Sequence, residues 1–319
     1  MTRIQRVLAV FALMALSCAA LAQFPGKPIK IIVPFPAGSA TDTITRILGN
    51  SVSGAVGQTV VVDNKAGADG AIAGAEVAKA APDGYTLLMA TNSPLSAVPA
   101  LRKSPPYDAI ADFTPITDIG RYTFFIVVHP GVQSKTVAEL IEQARAHPGK
   151  INYATGNTTG IVSTAFFASQ AKIDLVHVPY RGEPQAITDL LAGRVHMMFS
   201  SSSTTISHIR DGRLRALATT LPRRSHLLPD LPTIAEAGMP QFSVTSWAGL
   251  FGPAKMPREI VERLNREFVA AMARPDVQAQ MDKQAFVLNP STPEHLARLV
   301  REQLESYRAT LRAAGVQPE

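Results

Sequence analysis

The sequence predicts an α/β protein of two domains, with helices covering parallel sheets. Three observations carry this expectation. Short β-branched apolar runs alternate with segments of helical periodicity; a similar order restarts after a proline-rich passage at residues 103–115; and 319 residues exceed one ordinary core. Apolar residues make up 46% of the chain and charged residues 18%, a balance that favours folded cores over disorder.

Taken in order, the first half opens on Ile29 to Val33, a short apolar strand. After the Pro36-Ala37-Gly38-Ser39 turn, Ile44, Ile47, Leu48 and Val52 recur at helical spacing. Thr59 to Val62 reads as the second strand. A glycine-containing loop leads to a small-residue helix from Ala71 to Ala80, and Pro82-Asp83-Gly84 turns the chain into the buried strand Tyr85 to Ala90. In the second half, the strands Phe124 to Val128 and Ile151 to Ala154 flank a helix at Val137 to Ala146. A helix at Thr159 to Gln170, the strand Leu175 to Val178 and a helix at Pro184 to Leu191 follow, the last stopped by Gly193. Val195 to Phe199 and Leu214 to Ala218 complete this half.

The tail reads as helical. Ile260, Val261, Leu264, Phe268 and Met272 form one amphipathic stripe; Leu296, Leu299, Val300, Leu304, Tyr307 and Leu311 form another, opened by Thr292 as cap and Pro293 at the first helical position. Helices without a sheet of their own must pack on an existing domain. The expected division is therefore domain I at 23–122 and 246–319, domain II at 123–245, and a cleft between them at a double crossover.

The first 22 residues are of another kind. Arg3 and Arg6 precede an apolar run from Val7 to Ala20, and Ala20-Leu21-Ala22 supplies an A-x-A site, so a signal peptide cleaved after Ala22 is expected. The run is short for a membrane span. A lipoprotein anchor on Cys18 is the alternative, but Ala15 stands where a leucine is usual. Cys18 is the one cysteine, so the mature chain has no thiol for catalysis or metal binding, as suits an oxidising compartment. Loss of Arg3 and Arg6, with no acidic residue in the leader, takes the formal charge from +6 to +4. That excess is spread thinly, without a basic run or interleaved aromatics, so nucleic acid is not an expected partner.

Five stretches resemble a known family: PIKIIVPFPAGSATDTITRIL (28–48), VVDNKAGADGAIAGAEVAKAAPDGYTLL (61–88), DFTPIT (112–117), HVPYRGEPQAITDLLAGRV (177–195) and SWAGLFGPAKMP (246–257). Together, in order and across the mature chain, they closely resemble the substrate-binding proteins of tripartite tricarboxylate transporters, also called Bug receptors. The resemblance implies a type II periplasmic-binding-protein fold, a small ligand closed between two domains, and delivery to membrane permease subunits. It implies a periplasmic, monomeric protein without cofactor or catalytic residue. A sensor docking on a signalling receptor is the alternative use of the same fold.

Candidate ligand-binding residues follow from the ends of strands and the starts of helices. The loop Pro36, Ala37, Gly38, Ser39, Ala40, Thr41, Asp42 joins a buried strand to a helix, where free N–H groups and the positive helix end hold an anion without a cationic side chain. Capping alone is the plainer role of Ser39, Thr41 or Asp42. The resemblance makes this loop one jaw, although relatives more often have glycine where Ser39 stands. The second jaw is expected at Thr155, Gly156, Asn157, Thr158, Thr159 and Gly160, where this chain lacks the serine and histidine common in relatives. Thr91, Asn92 and Ser93, the turn Pro179, Tyr180, Arg181 and Gly182, and Ser200, Ser201 and Ser202 also follow strands. Tyr180 either covers the ligand or buttresses its turn, Arg181 is either a carboxylate clamp or solvated, and Trp247 is assigned to packing. A hydrolase has little support: the chain has no G-x-S-x-G, H-E-x-x-H or Walker motif, and its seven histidines lack metal-ligand spacing.

Overall fold

The structure, a computed structural model, describes residues 24–313 and 318, apart from 222, 226 and 243–245. The expected signal peptide, Cys18 and the cleavage point after Ala22 lie outside the described residues.

Two sheets organise the chain. The first has the order β11-β4-β10-β3-β1-β2, built from β1 (Ile29–Val33), β2 (Val60–Asn64), β3 (Thr86–Thr91), β4 (Phe113–Tyr122), β10 (Ser246–Pro253) and β11 (Phe286–Leu288). The second has the order β7-β6-β8-β5-β9, from β5 (Phe124–Val128), β6 (Asn152–Thr155), β7 (Val176–Pro179), β8 (Met197–Ser201) and β9 (Arg215–Thr219). We call the layers around these sheets lobe I and lobe II.

Helices cover both faces of each sheet, so the central strands are apolar on both sides. In lobe I, Ile31 and Leu87 join one core with Ile44 and Leu48 of α1 (Ala40–Val56) and Phe268 of α8 (Arg258–Met272). The alternate residues Ile32 and Leu88 join the opposite core, with Ala73 and Val77 of α2 (Ala71–Ala78). In lobe II, Phe125 and Val127 pack with α6 (Glu183–Leu191), while Ile126 and Val128 share a core with α4 (Val137–Ala146) and α5 (Thr158–Ala171). Helices α3 (Val98–Leu101), α7 (Ser202–Arg210), α9 (Pro275–Lys283) and α10 (Pro293–Ala313) complete the described set.

The sheets are mixed, which corrects the expectation of parallel sheets. Strand β10 runs antiparallel between β3 and β4, and β5 runs antiparallel between β8 and β9. Both are the first strand after the chain changes sheet. Only Thr123 separates β4 from β5, too short a link for a crossover helix, so the strand direction carries straight into the other lobe. The pass back leads into β10 at Ser246. Beside these passages, Thr123 Oγ1 donates to the Ala285 carbonyl at 2.6 Å and Ser202 Oγ to the Gln284 carbonyl at 2.7 Å, tying lobe II to the approach to β11.

Gly120 is needed where β11 closes on β4. Its φ of 153° is strained for other residues, and a Cβ there would overlap the Val287 carbonyl. Gly120→Ala is expected to destabilise the protein by about 1–3 kcal/mol, read as a lower urea midpoint. An unchanged midpoint would show that β11 yields without cost.

Candidate functional site

Helix starts from both lobes meet at one small cavity of ≈ 30 Å³ between the sheets. On the lobe I side, Gly38 takes the left-handed φ of 80° that turns β1 into α1. Ser39 is the extended N-cap, and its Oγ accepts from the Asp42 N–H at 3.3 Å. The Ala40 and Thr41 N–H groups remain without an intrahelical partner at the cavity wall. The opposite wall repeats the device: Asn157 caps α5 by accepting the Gly160 N–H at 2.9 Å, which leaves the Thr158 and Thr159 N–H groups.

Hydroxyl groups complete both walls. Tyr122 Oη donates to Thr41 Oγ1 at 2.8 Å, and burial pushes the phenol up so that it stays a donor. Ser93 Oγ, beside the cavity in a π-helical turn (Ser93–Ala97), and Thr158 Oγ1 are buried with no hydrogen-bond partner among the described residues. Such groups are costly unless something else satisfies them.

Asn92 holds the lobes together across the cleft. Its Nδ2 donates to Thr159 Oγ1 at 2.8 Å and to Tyr307 Oη of α10, and its Oδ1 accepts from Ser246 Oγ at 3.0 Å. Nearby, Val162 of α5 shares an apolar cluster with Ala97, Ala100, Leu304, Tyr307 and Leu311 of lobe I. The ring of Pro36 lies against Gly182 of lobe II. The conformation described is a closed one.

Glu183 is the least expected member of the site. Its carboxylate, buried in the cavity wall, accepts from Asn157 Nδ2 at 2.9 Å and the Ser201 N–H at 3.1 Å on Oε1. Ser201 Oγ and Thr204 Oγ1, the latter at 2.9 Å, face Oε2. The side chain therefore fills the N-terminus of α7. Burial pushes the Glu183 carboxyl up, and the surrounding donors only oppose it. Asp42 shows the contrary balance. Burial raises its carboxyl, but hydrogen bonds from Arg46, the Gly38 N–H and Asn64 outweigh that and hold it below the usual range.

Of the residues expected from sequence, Ser39, Thr41, Ser93, Gly156, Asn157, Thr159 and Ser201 line this cavity. Pro36, Ala37 and Gly38 shape the turn behind it, and Asp42 is engaged by Arg46 at 2.9 Å. Asn92 acts as the cross-lobe tie, and Ser200 Oγ turns to Thr205. Tyr180 buttresses its turn by donating to Asp189 at 2.7 Å, and Arg181 is exposed beside an adjoining groove of ≈ 350 Å³ that shares Phe35, Gly156 and Asn157 with the cavity. Ala40 and Thr91, from two of the expected loops, line it as well, whereas sequence reasoning missed Phe35, Tyr122, Phe124, Glu183 and Ser246. Tyr122 and Phe124 flank the crossover, a signal that was available; Glu183 reads from sequence only as an acid in a first helical turn. Trp247 is fully buried against Phe251, a packing position. His177 pairs with Thr155 and stacks on Tyr153, and His196 accepts the Asn152 N–H, so both serve the lobe II sheet. Among the described residues no group of three or more His, Cys, Asp or Glu is arranged to hold a metal.

Two α/β lobes joined by crossing strands and closed over a small cavity between two helix starts define a solute-binding protein. This chain belongs to the receptors of the tripartite tricarboxylate transporter family, whose model matches residues 44–316. It is 39% identical, over 95% of its length and 92% of the relative, to the UPF0065 protein of the tcbD-tcbE intergenic region in a Pseudomonas species. To the protein BugT of Bordetella pertussis it is 32% identical over 99% of its length and 98% of BugT. Rpa4515 of R. palustris, solved with adipate, superposes with TM-score 0.89 at 30% identity, covering 93% of this chain and 100% of that one. MatC from Rhodopseudomonas palustris, solved with bound malate, gives 0.86 at 28% identity, covering 90% and 100%. The family is one of solute receptors, with the type II periplasmic-binding-protein fold.

The raised Glu183 carboxyl has a stability consequence of definite sign. An acid whose pKa is higher folded than unfolded contributes stability below its unfolded pKa and loses it as pH rises through the folded one. Glu183→Gln lacks that loss. Its melting temperature relative to the parent chain is expected to move in the variant's favour as the pH rises above about 4. A difference that stays flat or moves the other way would show that the four donors win over burial.

Proposed function

We propose that this protein captures a small organic carboxylate between its lobes and presents it to the permease subunits of a tripartite tricarboxylate-type membrane transporter. The reading rests above all on the meeting of the α1 and α5 N-termini, from opposite lobes, in one cavity whose lining has no Lys, Arg or His side chain. Free N–H groups and the positive helix ends hold an anion there, each end contributing about 0.3–2 kcal/mol. Closure excludes water and strengthens both contributions. The Ser93 hydroxyl, buried without a partner among the described residues, supplies a further donor. Adipate and malate in the solved relatives support the ligand class.

On this reading the lobes are domains, 23–122 with 246–319 and 123–245, turning about the passages near Thr123 and Ser246. The protein works in the periplasm as a monomer after its leader is cleaved behind Ala22. No helix among the described residues is long and apolar enough to cross a membrane.

A thermal-shift screen over small carboxylates tests the ligand class. A compound at 100 times its Kd should add about 2.7 kcal/mol of stability. If no carboxylate shifts the transition, the ligand class is wrong. Thr41→Val and Ser93→Ala each remove one donor to the anion and are expected to weaken binding by about 1.5–3 kcal/mol, roughly ten- to hundredfold in Kd. Full affinity in both variants would remove the α1 side from the site. Saturating ligand should also shrink the radius of gyration in solution scattering, whereas superimposable profiles would argue against closure.

A further inference from the structure

The closed cavity is too small for a whole ligand. One water-sized group takes roughly 10–15 Å³ of such space, so the cavity's ≈ 30 Å³ admits about two of them. That suits the two oxygens of a carboxylate and leaves no room for a carbon chain behind them. The adjoining groove offers ≈ 350 Å³. Phe35, Gly156 and Asn157 line both spaces. The backbone leads from one to the other on each lobe: Pro34 lines the groove and Ser39 the cavity, Arg181 the groove and Glu183 the cavity. Between them, Pro36 lies against Gly182.

Like the cavity, the groove has a wall from each lobe. Its inner part is apolar, with Pro34 and Phe35 buried and Ile161 of α5 half-buried. Its exposed rim carries Asp69 and Arg181, one charge of each sign. Gly156 puts no side chain into the way, and a Cβ there would overlap the backbone of Gly182 and Glu183. The lobe I wall includes a strained turn. Gly67, Ala68, Asp69 and Gly70 take φ of 130°, 49°, 57° and 88° in succession, the middle two in a region that costs a residue with a Cβ. Strain of this kind collects at ligand clamps. Here it folds the turn back onto Pro34, whose Cβ a side chain on Gly70 would meet at 2.8 Å.

We propose that the groove is the second part of the ligand site: a carboxylate group binds in the cavity, and its carbon chain runs past Phe35 and Gly156 into the groove. The protein therefore takes acids with a chain of several carbons in preference to compact ones. This rests on the carboxylate reading above. Pro34 and Phe35 cover the chain from lobe I and Ile161 from lobe II, while its far end emerges between Asp69 and Arg181, within reach of solvent. Phe35, shared by both spaces, sets how the chain leaves the cavity.

Calorimetric titration of the mature chain with acetate, butanoate and hexanoate tests this. Affinity should rise along the series, with hexanoate bound at least about tenfold more tightly than acetate, since each methylene taken out of water is worth up to about fourfold. Ala68→Trp and Pro179→Trp, at exposed lining positions on opposite lobes, each fill the groove and should cut that ratio to within about threefold. Either variant serves if the other does not fold. A parent chain that binds acetate as tightly as hexanoate overturns the proposal and leaves carboxylate capture standing; so does the full ratio retained in the folded variants. Binding of none of the three acids would overturn carboxylate capture itself, and this inference with it.

Discussion

Every helix that starts at the cleft leaves N–H groups that its own turns cannot satisfy, and the site is organised by how each start meets that demand. Helix α1 uses Ser39 as cap and keeps Asp42 close to Gly38. Helix α5 uses Asn157. Helix α7 has no side-chain cap of its own, and a carboxylate eighteen residues away in sequence fills the place. Those capping contacts take the inner N–H groups and leave the outermost ones of α1 and α5 directed at the space between the lobes. A polar solute can bind there because the fold has left donors over, and the walls need no cation to attract it.

Much of the architecture was legible in the sequence because it is local. Thr136 caps an amphipathic run by accepting the Glu139 N–H, Glu139 accepts the Lys135 N–H in turn, and α4 spans Val137–Ala146 as expected. Strands β1 and β5 likewise match their expected bounds. Strand β4 was not legible. Pro115 argues against a strand, yet it sits where β4 shifts register against β10, a place that tolerates the missing N–H. Helix α7 was hidden for a different reason. Ser202-Ser203-Thr204-Thr205 is poor helix-forming sequence, and the segment is helical where Glu183 accepts the Ser201 N–H at its start.

The candidate site divides along the same line. The two helix-start loops were readable because strand, turn and capping residue are neighbours in the chain. Glu183, Tyr122 and Ser246 belong to the site through pairings that span 18, 81 and 154 residues. No periodicity or short motif encodes such pairs. Tyr180 and Arg181 show the converse: both follow a strand end, as ligand-binding residues do, but one serves its own turn and the other faces solvent.

Trp247 is the chain's single tryptophan. It is wholly enclosed in the lobe I core, while its neighbour Ser246 forms part of the cleft wall and meets Asn92. Alternation along β10 puts the indole on one side of the strand and the ligand space on the other. The protein thus carries an intrinsic fluorophore one residue from its cleft, shielded from solvent and free of competing indoles. Its emission reports the strain and packing of a single strand, the one by which the chain returns to lobe I.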